Sequence, residues 1–278
     1  MHSVDFVVNC YERTYREVLA PGYVSGLAEA QRFPFASVTV LVNNVDDRAD
    51  AEARAKELGE ADPGVSRVEF VADHLLAALA VTGLRARHLE PLGHFTDCGL
   101  VAATLPGPEW LCYWDADARL REPADWLTPT LAAMDADPRH GVGNPNNWHP
   151  GLAEREALIV DGDVAVGYGF SDVAFLARRA DLARPVYRKV SPASWRYPLA
   201  HVEPVFEQRV DAWMRRERRT RVTYLPAVVE HLGEAGGNYP AGGVRERVRR
   251  AAFRRAGRAA AAVSSHPAAR AWPRQVVG

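Results

Sequence analysis

The sequence predicts an α/β fold in which a central β-sheet is flanked by helices. Over the first two thirds of the chain, short runs rich in β-branched residues alternate with longer segments of mixed polar and apolar character. This alternation is the pattern of parallel strands joined by helical crossovers. The 278 residues are 47% hydrophobic, which is enough for a substantial buried core.

The individual elements follow from local patterns. Strands are predicted at residues 4–9, 36–43, 66–72, 109–114, 157–166, 173–177 and 220–229, and helices at residues 14–31, 49–60, 95–105, 124–134 and 202–218. Pro21 and Gly22 divide the first helical segment into two short pieces. The strand at 36–43 is apolar throughout, as expected for a strand covered on both faces. The Gly-, Asn- and Pro-rich residues 141–147 predict a loop.

Charge and cysteine content exclude several classes of protein. The 34 basic and 35 acidic residues nearly cancel, so the whole molecule has no electrostatic attraction for nucleic acid. Cys10, Cys98 and Cys112 are odd in number and far apart, which argues against a disulfide framework and for a reducing compartment. No apolar run approaches the roughly 18 residues that a membrane-spanning helix needs, and no signal-peptide pattern is present. We therefore expect a cytoplasmic protein.

Two carboxylates follow the apolar strand 109–114 with the spacing Asp115-Ala116-Asp117. Along an extended chain, side chains at positions i and i+2 point in the same direction. Such a pair suits one hard divalent cation, Mn²⁺ or Mg²⁺, which bridges a diphosphate and stabilises the charge on a leaving group. Ligands of open α/β sheets lie beyond the carboxyl ends of the strands, where these acids are expected. The alternative is a turn or a helix cap.

The order of features along residues 4–233 resembles the GT-A glycosyltransferases, notably their inverting family 2. These features are a polar Asn/Asp loop after the second strand, a D-x-D after an apolar strand, a Gly-aromatic segment, an acidic helix start and a late strand ending near a histidine. The resemblance implies the GT-A nucleotide-diphospho-sugar transferase fold, with a Rossmann-like mixed sheet. It also implies a metal-dependent, hexosyltransferase-like enzyme that moves a sugar from a nucleotide-diphosphate sugar to an acceptor hydroxyl, inverting through a carboxylate base.

The resemblance implies a set of donor-binding residues. Asn43, Asn44 and Asp46 correspond to the positions where the family contacts the nucleoside base and ribose. Asp97 lies in the region where relatives also touch the base or ribose, and Asp115 contacts the donor through the metal. An Asx turn explains the Asn/Asp loop equally well, and Asp97 can instead cap the following helix.

The residues expected on the acceptor side match the family pattern less closely than those expected on the donor side. In family 2, two acids begin a helix and one of them deprotonates the acceptor, but here Glu203 matches the first acid and Pro204 replaces the second. Either the base is then Glu203, His201 or Asp172, or the mechanism differs, and Glu203 can also be a simple helix N-terminal charge. Residues 167–172 match the Gly-aromatic segment on the acceptor side, or else form a hairpin turn.

The last part of the chain carries a histidine and an arginine-rich segment. His231 corresponds to an additional metal ligand in similar enzymes, although a lone histidine at a strand end is more often structural. Residues 1–243 are expected to form one domain, with a nucleotide-binding half over about 1–120 and an acceptor-binding half over about 121–243. Residues 244–278 are expected to be an Arg/Ala-rich helix and a loose tail. Its arginines can contact donor phosphates or an anionic membrane surface, but a solvated helix face is favoured.

Two rival functions remain at this point. A sugar-1-phosphate nucleotidyltransferase needs a Gly-rich basic loop after the first strand, and residues 10–14 contain no glycine. A catalytically silent nucleotide-sugar-binding protein is compatible with the replacement of the second acid by Pro204.

Overall fold

The central sheet is present in the computed structural model, which describes residues 2–147, 149, 151–232 and 243–264. Within these residues its strands are β1 Val4–Cys10, β2 Ser37–Val42, β3 Arg67–Phe70, β4 Trp110–Asp115, β5 Ala118–Leu120, β6 His140–Asn147, β7 Ala157–Asp161, β8 Val164–Gly167, β9 Ala174–Arg178 and β10 Thr220–His231.

Helices connect and cover these strands. They are α1 Tyr15–Val18, α2 Tyr23–Ala30, α3 Arg48–Ala61, α4 Val71–Thr82, α5 Asp97–Thr104, α6 Leu127–Ala136, α7 Leu152–Glu156, α8 Arg179–Leu182, α9 Phe206–Arg216 and α10 Val244–Ser264. Short 3₁₀ helices occur at Ala86–His88, Gly93–Phe95 and Pro192–Arg196.

The sheet is mixed, with the strand order β3-β2-β1-β4-β9-β6-β10-β8-β7 and with β5 paired to β10. Strands β1 to β4 are parallel, whereas β9 runs antiparallel to both of its neighbours, β4 and β6. Successive side chains of the central strands enter opposite cores. Tyr113 belongs to one apolar cluster and Trp114 to the other. The predicted α/β class, with a mixed sheet flanked by helices, is thus confirmed.

The loop predicted at residues 141–147 is wrong, because this segment forms most of strand β6. Its polar residues form hydrogen bonds with neighbouring segments of the same chain. The side chain of Asn144 donates from Nδ2 to the backbone oxygen of Ser171 at 3.0 Å. Pairing with β9 and β10 satisfies the backbone, so tertiary contacts outweigh a composition that is typical of turns.

The helix predicted from residue 202 begins later. Helix α9 starts at Phe206, after the extended Val205, so Pro204 precedes the helix instead of lying in its first turn. A residue that precedes proline is disfavoured in the helical region, which keeps Glu203 outside the helix. The third strand is also shorter than predicted, because helix α4 begins at Val71, and the pattern analysis missed this helix.

The cysteines are free, as their odd number and wide separation predict. Cys10, Cys98 and Cys112 are buried and form no disulfide. In the part of the chain that the structure describes, no helix combines the length and the apolar character needed to cross a bilayer.

Strand β6 approaches helix α6 so closely that a side chain does not fit at Gly143. A Cβ atom there would overlap Cγ2 of the fully buried Thr130, whose hydroxyl donates to the backbone oxygen of Trp126 at 2.6 Å. We expect Gly143→Ala to lower the free energy of unfolding by about 1–3 kcal/mol, measured by chemical denaturation. Thr130→Ser removes only Cγ2, so combining both changes should recover most of the loss. A double variant as unstable as Gly143→Ala would contradict the steric cause.

Candidate metal centre and adjoining cavity

The polar residues that follow β1, β2 and β4 meet at one edge of the sheet. Cys10 pairs with Val42, and Asn9 pairs with Asp115, so these three parallel strands end side by side. Asn43, immediately after β2, extends this alignment by donating its backbone N–H to the oxygen of Cys10 at 2.8 Å. The carboxyl edge therefore gathers polar groups that are distant in sequence, as expected for a ligand site in an open α/β sheet.

The D-x-D segment is a turn between two strands. Asp115 ends β4, Ala116 and Asp117 turn, and β5 returns antiparallel to β10. The backbone N–H of Asp115 donates to Val173 at 2.8 Å, and the N–H of Leu232 donates to Asp117 at 2.7 Å. The prediction that an extended chain aligns the two carboxylates is therefore wrong. A turn held by two other segments brings them together.

Asp115, Asp117 and His231 form a compact cluster. One ligand atom from each lies within 4.8 Å of the others, and Nε2 of His231 is 3.1 Å from Oδ1 of Asp117. The pairing of His231 with Ala118 in the β5–β10 ladder places the imidazole over the turn. Two carboxylates and one imidazole suit Mn²⁺ or Mg²⁺, so the three predicted ligands are close enough to hold one ion.

Electrostatic repulsion favours a cation at this place. Burial raises the pKa of Asp115 well above its usual value, and the negative charges of Asp172 and Asp117 raise it further. The Tyr113 hydroxyl donates to Oδ1 of Asp115 at 3.0 Å and opposes this shift. Burial also raises the pKa of Asp172 to about 6. A bound divalent cation would stabilise the ionised carboxylates that here repel one another.

The predicted donor-binding residues separate into two groups. Asn43 and Asp97 are buried together, with Nδ2 of Asn43 donating to Oδ1 of Asp97 at 2.9 Å. Burial raises the pKa of Asp97 to about 6, and its Oδ1 also accepts from the N–H of Cys98. The N-cap of α5 is Thr96, so Asp97 does not cap this helix. Asn44, with a φ of 47°, and Asp46 are exposed on the loop outside this pair.

A cavity of about 600 Å³ adjoins the cluster. Its walls come from β6, α7, the segment before β9, the 3₁₀ helix Pro192–Arg196, α9, β10 and α10. Asp172 links the two regions, because it lines the cavity and its charge acts on Asp115.

Another carboxylate in this cavity is Glu207, which was not among the predicted site residues. It lies in the first turn of α9 and lines the cavity, and burial together with the charge of Asp172 raises its pKa well above the usual value. Glu203 is not among the lining residues and pairs with Arg209, Oε1 to Nη2, at 3.1 Å. The signal that could have found Glu207 is Pro204, since it moves the start of the helix to the following residues.

Helix α10 is more than the solvated face favoured from the sequence. It packs on the 3₁₀ helix Pro192–Arg196, where a Cβ atom at Gly257 would overlap the backbone nitrogen of Arg196. Arg258 from this helix lines the cavity. The buried His201, the other predicted base candidate, faces Glu246 of the same helix at 3.4 Å. The tail predicted after α10 lies outside the described residues.

The cluster generates a direct test of metal binding. Asp117→Asn preserves the size of the side chain and removes its charge, so we expect the affinity for Mn²⁺, measured by calorimetric titration, to fall by about 100-fold or more. Glu122→Gln removes one charge from an exposed residue nearby and serves as the matched control. Equal Mn²⁺ affinity in both variants would show that Asp117 is not a ligand.

The chain is similar to known proteins in structure but not in sequence. No known family profile matches the chain, and no curated protein matches it in sequence. In structure it is similar to the galactosyltransferase LgtC in complex with donor and acceptor sugar analogues, at 15% identity over 76% of this chain and 70% of that chain, with a TM-score of 0.44.

Two further solved structures are also similar to this chain. GalNAc-T7 with UDP, GalNAc and Mn²⁺ is 10% identical over 88% of this chain and 46% of that chain, with a TM-score of 0.48. Glucosyl-3-phosphoglycerate synthase from Mycobacterium tuberculosis, with Mn²⁺, UDP and glucosyl-3-phosphoglycerate, is 15% identical over 95% of this chain and 80% of that chain, with a TM-score of 0.44.

Proposed function

We propose that this protein is a metal-dependent glycosyltransferase that moves a sugar from a nucleotide-diphosphate sugar to an acceptor hydroxyl. The observation that carries the proposal is the convergence of Asp115, Asp117 and His231 beside a cavity that Asp172 lines. A cation site alone occurs in many proteins. A cation site that shares a carboxylate neighbour with a cavity of about 600 Å³ has room for both a diphosphate and a second substrate.

The carboxyl edge of the sheet provides the proposed donor contacts. Asn43 and Asp97 provide an amide and a carboxyl group next to the end of β2, which suits the hydrogen-bonding edge of a base or the hydroxyls of a ribose. Asn44 and Asp46 remain predicted contacts at the outer rim. A divalent ion held by Asp115, Asp117 and His231 would neutralise the diphosphate and its developing charge.

The acceptor hydroxyl needs a base if the transfer inverts the anomeric carbon. Asp172 lines the cavity and its charge acts on Asp115, and burial raises its pKa, which makes it a stronger proton acceptor than an exposed aspartate. The acceptor oxygen then bonds to the anomeric carbon while the proton passes to Asp172. The bond from that carbon to the diphosphate breaks, and its electron pair leaves with the nucleoside diphosphate.

The domain organisation follows the same division. We propose a single transferase domain over residues 1–243, with a donor half over about 1–120 and an acceptor half over about 121–243. Helix α10 completes the acceptor cavity through Arg258.

The choice of base is tested by three matched variants. Asp172→Asn should lower kcat by about 10²- to 10⁴-fold, because it removes the proton acceptor, while binding of UDP with Mn²⁺ persists. The measurement is UDP release from UDP-sugars with a panel of hydroxyl acceptors. In the wild type, kcat should fall as the pH drops below the pKa of Asp172, because the protonated acid accepts no proton, and the Asn variant should lack this decline.

The other two variants address the remaining acids. Glu203→Gln tests the base predicted from the sequence, and Glu207→Gln tests the second carboxylate of the cavity. A large loss of kcat in either of them, with near-normal turnover in Asp172→Asn, would move the base to that residue.

A further inference from the structure

Arginine dominates the charged lining of the cavity. Among the described residues, five arginines line it, against the three acids Glu156, Asp172 and Glu207; the arginines are Arg155, Arg196, Arg215, Arg221 and Arg258. The formal net charge of the whole chain is -1, so this excess is local. Burial also raises the pKa of Glu207, which reduces the negative charge available inside the cavity.

Two of the arginines share one carboxylate. Nη1 of Arg196 lies 2.8 Å from Oε1 of Glu156, and Nη2 of Arg221 lies 3.7 Å from Oε2 of the same residue. Glu156 thus faces two guanidinium groups, and the charge of the buried Asp211 also acts on both. Removing charged groups from water is costly unless they are paired, so a cavity lined by more arginines than acids favours an anionic ligand.

Arg221 also has an unused donor. Its side chain is only 13% exposed, and within the part of the chain that the structure describes its buried Nε has no hydrogen-bond partner. Because this Nε is inaccessible, only the Nη groups of Arg221 can offer donors to a ligand in the cavity. The two adjacent guanidiniums are planar forks that match the oxygens of a phosphate or a carboxylate.

Helix α10 is fixed relative to Arg196 and Arg221. The close approach of Gly257 to the backbone of Arg196 and the ring contact of Trp195 with Phe253, at 5.5 Å between centroids, hold α10 against the 3₁₀ helix. Arg258, an exposed residue, follows Gly257 directly and lines the same cavity. Three guanidinium groups thus line the cavity that Asp172 also lines.

We infer that the acceptor carries an anionic group, a phosphate or a carboxylate, in addition to the hydroxyl that receives the sugar. Arg196, Arg221 and Arg258 bind this group, and the hydroxyl then lies towards Asp172. The inference rests on the proposed glycosyltransferase function and adds the chemical class of its acceptor. The donor diphosphate is a separate ligand, because the residues of its proposed metal site do not line the cavity.

Anion binding tests this inference with the full-length protein saturated with UDP and Mg²⁺, so that the diphosphate site is filled. The probes are inorganic phosphate and acetate, each compared with chloride at equal ionic strength by calorimetry and thermal shift. We expect phosphate or acetate to bind the wild type, and Arg258→Gln to weaken that binding roughly tenfold or more. Arg254→Gln, an exposed arginine of the same helix that does not line the cavity, is the matched control.

Turnover distinguishes the two anionic groups. Glycerol, glycerol 3-phosphate and glycerate present the same hydroxyls with no anion, a phosphate or a carboxylate, and UDP release from UDP-sugars should be faster with one anionic acceptor than with glycerol. This preference should shrink in Arg258→Gln and persist in Arg254→Gln.

Three outcomes would overturn the inference: no binding of either anion beyond that of chloride, equal losses in Arg258→Gln and Arg254→Gln, or loss of UDP binding in Arg258→Gln, which would make the arginine a donor contact. Failure of the wild type to bind any nucleoside diphosphate with metal would instead refute the proposed function.

Discussion

The antiparallel strand β9 is the constraint on which the candidate site depends. It pairs with β4 on one side and with β6 on the other, so it joins the parallel strands β1 to β4 to the strands β6, β10, β8 and β7. Because β9 runs opposite to β4, its first residues lie at the carboxyl end of that strand. Val173 therefore accepts the N–H of Asp115, and Asp172 reaches the metal cluster. A parallel strand at this place would put Asp172 at the far edge of the sheet.

The site combines two neighbouring regions of opposite charge. On one side of Asp172, burial and the charges of neighbouring carboxylates raise the pKa of Asp115. On the other side, five arginines line the cavity against three acids. Each region thus carries an excess of one charge, and buried charges need partners of opposite sign. A cation for the first region and an anion for the second would satisfy both, and this complementarity connects the two proposals physically.

The sequence predicted the parts of the structure that are encoded locally. The first, second and fourth strands, the D-x-D and the histidine that approaches it were all identifiable, because apolar runs and the polar residues at their ends survive folding. Strand β6 was not, since its Asn- and Gly-rich composition is compensated by contacts with β9 and β10. Glu207 was missed for a related reason. A shift of four residues in a helix start decides which acid enters the cavity, and boundary errors of that size are inherent in pattern analysis.

Helix α10 gives the cavity a wall that is contiguous in sequence. Its twenty-one residues contact the 3₁₀ helix Pro192–Arg196, whereas the metal cluster is built from β4, β10 and the turn between β4 and β5. Changes within this one segment can therefore reshape the cavity without altering the ion site. Evolution or protein engineering could therefore replace the helix to change the cavity, provided that Gly257 is kept where it contacts the backbone of Arg196.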